Sequence, residues 1–201
     1  MIQISENERL WRLRLLPKDL GVALVVLLAF GAALGLMWRT TNASRPYADP
    51  DSSLRMQIPQ TWIATDSLLD VLFKLEDPFS PSAFKTNLTV ETRLLDLADP
   101  PTLQTLLDRR VEERSEFTGY HFLSEAETMV AGERAIVSEY AYVVQPIDEP
   151  RRASLPVVVL AREYIVIAGE HSYYLTLAAP ESDAERALER FAQIIASVEL
   201  Q

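Results

Sequence analysis

The chain has 201 residues, of which 48% are hydrophobic, and a formal net charge of −10 at pH 7. It contains no cysteine, which excludes disulfides, thiolate metal sites, cysteine nucleophiles and a lipid anchor on a cysteine. The acidic excess argues against electrostatic binding to nucleic acid, so nucleic acid is not an expected partner.

The first nineteen residues combine basic and apolar side chains. Arg9, Arg12 and Arg14 alternate with leucines and Trp11 in the stretch MIQISENERLWRLRLL. Such a composition suits the boundary between water and lipid, where indole rings prefer the headgroup level. Residues 1–19 are therefore predicted to form a cytoplasmic interfacial segment anchored by Trp11. The alternative is a frayed cytoplasmic tail.

A run without any charged residue follows, LGVALVVLLAFGAALGLMW, at residues 20–38. As a helix it would reach about 28 Å, close to the thickness of the hydrocarbon core of a bilayer. Secretory signal peptides have shorter apolar regions, of roughly 7–15 residues. We therefore predict a retained single-pass transmembrane helix in a bacterial cell membrane, with Trp38 as its second interfacial anchor. Cleavage after Ala43 is the alternative.

The flanking charges orient the predicted span. Four basic residues precede it and two follow, namely Arg9, Arg12, Arg14 and Lys18 before it and Arg39 and Arg45 after it. The positive-inside rule then places the N-terminus in the cytoplasm and the C-terminal part on the extracytoplasmic side.

Small residues form a GxxxG pattern inside the span. Gly31, Ala32 and Gly35 lie within one turn of each other and would let another helix approach closely. The sequence predicts a helix-packing interface here, so the expected partners are integral membrane subunits and the lipid bilayer. A chance occurrence of common small residues is the alternative.

Residues 39–53, RTTNASRPYADPDSS, are polar and interrupted by Pro46 and Pro50, which predicts a linker. Residues 54–201 are predicted to form one exported domain. From residue 40 onward the chain has 14 basic and 26 acidic residues, a net charge of −12. A soluble, self-repelling surface explains this charge, and a basic partner is the sharper alternative.

Alternating apolar residues predict strands at residues 54–58, 71–73, 86–95, 121–130, 133–144, 155–168 and 171–179. A helix is predicted from Thr102 to about Phe117, and a final helix is predicted behind a cap formed by Ser182 and Glu185. Together these elements predict an α+β fold, a single N-terminal transmembrane helix followed by an antiparallel β-sheet flanked by helices.

Residues that could perform chemistry are few. His121 and His171 are the only histidines, and each is interpreted as structural or exposed. Asp49 and Asp51 lack the other ligands of a calcium loop and indicate a turn. The alternating charges of the first predicted helix indicate a solvated face, with a docking surface as the alternative; they are Arg109, Arg110, Glu112, Glu113, Arg114 and Glu116. No catalytic, metal or cofactor-binding residue and no small-molecule substrate is assigned.

The order of elements from Tyr47 to Leu200 resembles the PsbP-like domains. The resembling pieces are Leu54–Pro59 followed by Trp62, the hairpin Val130–Ala135, the strand Tyr173–Leu177 and the closing Phe191, Ile194 and Ser197. Thr61 stands where such domains often have a glycine. The resemblance implies an antiparallel sheet sandwiched by helices and a non-enzymatic protein attached to a photosynthetic or other membrane complex.

Two functions are therefore expected. The first is a non-enzymatic accessory or stabilising subunit of a larger membrane complex, photosynthetic or respiratory by resemblance. The alternative is an independent membrane-tethered domain that binds or senses a ligand, which requires a concave site in the sheet domain. A hydrolase or metal enzyme would require acidic residues grouped around a histidine.

Overall fold

The computed structural model describes residues 17–41, 43–48, 54–65, 71–145 and 155–200. The chain divides into two compact units, Met1–Asn42 and Ala43–Gln201. Most of the predicted interfacial segment, including Trp11, lies outside the described residues, as do Asp49 and Asp51.

The first unit contains helix α1, Pro17–Thr41, in which Leu20–Thr40 are long and apolar enough to cross a membrane. A signal sequence passes the same test. The helix covers the predicted span and extends it at both ends. Its side chains from Leu20 to Thr40 are exposed.

The second unit is an α+β domain of ten strands and two α-helices in the described residues. Its elements are β1 Ser44–Ala48, β2 Leu54–Pro59, β3 Ile63–Thr65, β4 Val71–Glu76, β5 Asn87–Leu94, α2 Leu103–Ser115, β6 His121–Val130, β7 Glu133–Val144, β8 Val157–Ala168, β9 His171–Pro180, α3 Ala184–Ala196 and β10 Glu199–Leu200. The predicted α+β class is confirmed.

Seven strands form one antiparallel sheet in the order β3-β4-β5-β9-β8-β7-β6, and β1-β2-β10 form a small second sheet. The hairpin between β6 and β7 turns at Ala131 and Gly132, whose φ angles of +53° and +87° suit a type I′ turn. Residue pairs such as Ile165 with Tyr174 fix the register between β8 and β9.

The two faces of the large sheet are covered differently because successive strand residues point to opposite sides. On one face, Leu175 and Leu177 join α3 and the small sheet in the main apolar core, where Phe191 is fully buried. On the other face, α2 packs on β7 and β8, with Tyr174 and Leu107 in a smaller apolar cluster.

The linker prediction for residues 39–53 is wrong over Ser44–Ala48, which form β1 and pair with β2 from Ser44↔Pro59 to Ala48↔Arg55. Pro46 is tolerated because β1 is an edge strand, where a missing N–H breaks no ladder. The ring of Tyr47 packs on Phe73, with centroids 4.2 Å apart.

The predicted capping box of the last helix is also corrected. A 3₁₀ turn, Glu181–Asp183, precedes α3, so Asp183 takes the N-cap position and makes no side-chain cap bond. The chain leaves β9 through Pro180 into this tighter turn, which shifts the helix start past Ser182.

Candidate functional site

A buried arginine lies at the centre of the α2 face of the sheet. The side chain of Arg110 is 3% exposed, and its Nε and Nη2 atoms donate to Oε1 of Glu163 on β8, at 3.1 and 2.5 Å. Glu163 is itself 1% exposed and also accepts from the Thr176 hydroxyl at 2.8 Å. The helix is therefore joined to the sheet through a charged pair sealed from water.

The guanidinium of Arg110 also holds two further carboxylates. It binds both oxygens of Glu91 on β5, at 2.9 and 3.1 Å, and Oε2 of Glu113 one helical turn away, at 3.0 Å. Arg93 completes the outer edge by pairing with both Glu113 oxygens, at 2.9 and 3.2 Å. The Nη2 atom of Arg114 lies 3.5 Å from both Glu91 Oε1 and Glu163 Oε1, so three arginines face three carboxylates in a network that runs from a fully buried pair to a half-exposed one.

The charges of the network stabilise one another. Burial alone would raise the pKa of Glu163, but the charge and hydrogen bonds of Arg110 reverse this and lower it. Burial likewise opposes the charge of Arg110, yet Glu163 and Glu91 raise its pKa. The hydrogen bond from Arg93 lowers the pKa of Glu113. Glu163 and Glu113 therefore stay ionised through the physiological range.

Aromatic rings frame the network. The Tyr174 ring faces the Arg110 guanidinium at 4.6 Å and that of Arg93 at 5.3 Å. Beyond the network, burial raises the pKa of Tyr140 well above its ordinary value and that of Tyr142 to about 12. These phenols stay protonated and act as packing groups.

A cavity of about 540 Å³ lies beside the N-terminal half of α2. Its walls are the end of β5, the loop leading to α2, one side of α2 and the start of β9, and its lining is largely polar. The lining residues are Arg93, Leu94, Leu95, Asp96, Asp99, Pro100, Pro101, Thr102, Thr105, Leu106, Arg109, Ser172 and Tyr174. Its volume lies within the range of small-molecule sites.

The cavity carries charges of both signs. Arg93 and Arg109 contribute guanidinium groups, and Asp96 and Asp99 contribute carboxylates. Asp96 accepts from the Ala98 N–H at 2.9 Å, which shapes the loop. Such a lining could hold a ligand that carries both a carboxylate and an ammonium group.

The predicted helix-packing residues lie on α1. Among the described residues, nothing beyond the helix's own backbone and the adjoining residues lies within 4 Å of a Cβ built on Gly31 or Gly35, so this surface is open to a second helix. Ala32 is exposed on the same helix, and the side chain of Trp38 is 73% exposed near its C-terminal end. The GxxxG interface and the indole anchors remain predictions.

The structure does not bring the two histidines together. His121 begins β6 and His171 begins β9, and the register of the sheet places them at opposite ends. Within the described ranges, no group of three or more histidine and acidic side chains could hold a metal ion.

The interpretation of α2 as carrying only a solvated charged face is wrong for Arg110. Arg110 lies three and four residues after Leu107 and Leu106, on the apolar stripe of the helix. This position on the apolar stripe is the feature of the sequence that predicts the burial of Arg110, because a charged residue on a buried stripe needs a buried partner. The partner could not be read from the sequence, since Glu163 is 53 residues away in the chain.

The sheet, its two helices and the small second sheet together have the fold of PsbP-like domains. The chain is similar to cyanobacterial PsbP (CyanoP) from Synechocystis sp. PCC 6803, with a TM-score of 0.58 and 14% identity over 79% of this chain and 93% of that chain. It is also similar to LpqN of Mycobacterium tuberculosis, involved in cell envelope biogenesis, with a TM-score of 0.56 and 9% identity over 78% and 90% of the two chains.

A structure from Bacteroides thetaiotaomicron VPI-5482 matches with a TM-score of 0.50 and 12% identity, over 78% of this chain and 48% of that chain. No protein-family model and no curated protein matches the sequence. At these identities the likeness establishes the fold and carries no ligand or partner with it. The predicted PsbP-like fold is thereby confirmed.

Proposed function

We propose that the chain is a non-enzymatic accessory subunit of a larger membrane complex. Helix α1 holds it in the membrane, and the PsbP-like domain works on the extracytoplasmic side. The observation that carries this proposal is the PsbP-like fold directly behind a helix able to cross a membrane. A photosynthetic or respiratory electron-transport complex is the favoured host, because of the likeness to cyanobacterial PsbP.

The interior of the domain supports a structural role. Its buried charged groups satisfy one another: Arg110 is bound by three carboxylates, and Glu163 accepts from Arg110 and Thr176. Groups arranged in this way stabilise a fold and leave no acid or base poised for a substrate. A subunit that supports a complex by docking to it requires no catalytic acid or base.

Native electrophoresis tests the proposal. Membranes solubilised in a mild detergent should yield the chain at a mass far above its own 22.7 kDa, with the same partner recovered after crosslinking. Migration as a single chain, with no partner crosslinked in native membranes, would contradict it.

The open face of α1 allows a sharper version of the test. Replacing Gly31 and Gly35 by leucine should lower partner recovery about tenfold, because the larger side chains prevent close helix approach. Gly21→Leu is the matched control, since Gly21 lies on the same helix with the same open surroundings. Equal losses of partner recovery in both variants would mean that the GxxxG face does not bind the partner.

A second candidate function is a membrane-tethered domain that binds or senses a small ligand, and the 540 Å³ cavity favours it. Zwitterionic amino acids and short peptides are the compounds to screen, because the lining carries both signs of charge. A ligand at one hundred times its Kd should raise the Tm by about 5–10 °C.

Arg109→Ala should abolish that shift, because Arg109 lines the cavity. Arg134→Ala is its control, since Arg134 is 74% exposed and lies on the hairpin of the edge strand, away from the cavity lining. A panel in which no compound moves the Tm would argue against this candidate.

A further inference from the structure

Only two residues separate the apolar helix from the first strand of the domain. Helix α1 ends at Thr41 and β1 begins at Ser44. A fully extended chain rises at most about 3.6 Å per residue, so Ser44 lies within about 11 Å of Thr41 in any conformation. A linker over residues 39–53, as the sequence predicts, would have allowed about 50 Å between the end of the apolar helix and the first strand of the domain.

Hydrogen bonds show where the chain that follows α1 enters the domain. The Gln60 N–H donates to the Ala43 carbonyl at 2.9 Å, and Nη2 of Arg45 donates to the Trp62 carbonyl at 3.4 Å. The chain therefore enters the domain beside the turn between β2 and β3. Trp62 is 2% exposed and fixes that turn to the core.

Two large apolar side chains are exposed at this end of the domain. Ile63 opens β3, pairs with Glu76 at the end of β4 and is 52% exposed. Phe79 lies three residues beyond Glu76 and is 75% exposed. Its N–H donates to Oδ1 of Asp77 at 3.0 Å, which stabilises the turn that carries the exposed phenyl ring.

The charges at this end of the domain are compatible with lipid headgroups although the domain is acidic. Arg45 is exposed on β1, and Lys85 lies on the far side of the Phe79 loop, where its Nζ donates to the Ser80 carbonyl at 2.7 Å. The carboxylates beside the loop are each in an ion pair, Glu76 with Lys74 at 3.1 Å and Asp77 with Arg190 at 3.7 Å.

We propose that the end of the domain bearing Ile63 and Phe79 rests in the headgroup region of the bilayer that α1 crosses. The connection of two residues brings this end to the membrane surface, and the exposed apolar side chains enter the interface, as in peripheral membrane proteins. The inference rests on the proposed retention of α1 in the membrane.

Site-specific fluorescence in lipid vesicles tests this inference. The chain has no cysteine, so Phe79→Cys in the full chain offers a single labelling site. Leu97→Cys is the matched control, because Leu97 is 61% exposed in the loop after β5, at the opposite end of the sheet. Each variant is labelled with a polarity-sensitive dye and reconstituted in vesicles of phosphatidylcholine and phosphatidylglycerol.

Brominated lipids should quench the label at position 79 at least about twofold more than the label at position 97. Circular dichroism confirms that both variants are folded. Equal quenching at the two positions would overturn the inference. Protection of position 79 in native membranes but not in lipid vesicles would also overturn it, because a protein would then cover this end.

An alkaline wash separates the failure of this inference from that of the proposed function. A chain released from native membranes by the wash shows that α1 is no anchor, and both proposals then fail. A chain that stays in the membrane with an unquenched label at position 79 overturns only the placement of the domain.

Discussion

Helices α2 and α3 are both thirteen residues long and cover opposite faces of the same sheet, yet they attach to it by different chemistry. Helix α3 buries alanines, Phe191 and Ile194. Helix α2 buries Leu106, Leu107 and a charged residue, Arg110.

The difference shows what each kind of contact specifies. Apolar packing is non-directional and scales with the area removed from water, so α3 supplies the bulk of the core. Ion pairs require defined distances and angles, so Arg110 fixes the rotation of α2 on the sheet through Glu163 and Glu91. Because α2 also forms one wall of the cavity, the ionic contacts set the geometry of that wall.

The largest expected effect is on the α3 face. Phe191→Ala should lower the free energy of unfolding by about 3–5 kcal/mol, because it leaves a cavity in a fully buried position. Urea unfolding of the full chain in mild detergent measures it. Gln193→Ala, on the exposed side of the same helix, should change stability by less than about 0.5 kcal/mol.

On the α2 face, Arg110→Ala should lower the free energy of unfolding by a similar amount, about 3–5 kcal/mol. The reason is different, since the change leaves Glu163 charged and buried without its partner. Arg109→Ala, at the exposed neighbouring position, serves as the control.

The double variant Arg110→Met and Glu163→Met should be more stable than either single variant, because apolar groups of similar volume can replace a buried ion pair. Simple additivity of the single losses would show that the two charges are not coupled.

A fall in pH should destabilise the contacts of the α2 face, which include ion pairs, more than the apolar contacts of the α3 face. The pKa of Glu163 is lowered in the folded state, so its contribution is fully present above the unfolded glutamate pKa of about 4.3. That contribution is lost as the pH falls through the lowered folded pKa. The stability difference between wild type and Glu163→Gln should therefore shrink below about pH 4, as urea titrations at pH 7, 5 and 3 would show. A difference that stays constant would mean that Glu163 is not ionised in the folded domain.

The helix N-termini should differ by a smaller amount. Thr102 caps α2, with its hydroxyl accepting from the Thr105 N–H at 3.1 Å, so Thr102→Ala should lower stability by about 1 kcal/mol. Ser182→Ala should have almost no effect, because α3 is not capped by that hydroxyl. Thermal unfolding of the two variants side by side gives the comparison. Equal losses of stability would show that Ser182 does cap the last helix.

Much of the fold could be predicted because the strands alternate cleanly. The bounds of β6 and β7 agree with the sequence prediction, since each is followed or preceded by a turn with a glycine. β1 was missed because Pro46 indicates a linker, whereas an edge strand tolerates proline.

The candidate site was harder to predict because it is assembled across long stretches of chain. The cavity joins residues 93–109 to Ser172 and Tyr174, and periodicity carries no information on such distant contacts. The position of Arg110 on the apolar stripe of α2 indicates that it is buried. Its partners could not be predicted, because they lie on two separate strands.

Strand β6 forms one border of the large sheet, and within the described ranges no further strand pairs with its outer side. Ten residues of exposed backbone at such a border invite the strands of other chains and thereby aggregation. Exposed Glu125 and Glu127, together with a register shift between Phe122 and Ser124, oppose that pairing by charge repulsion and irregular spacing. At high local concentration, this border would keep neighbouring copies from polymerising.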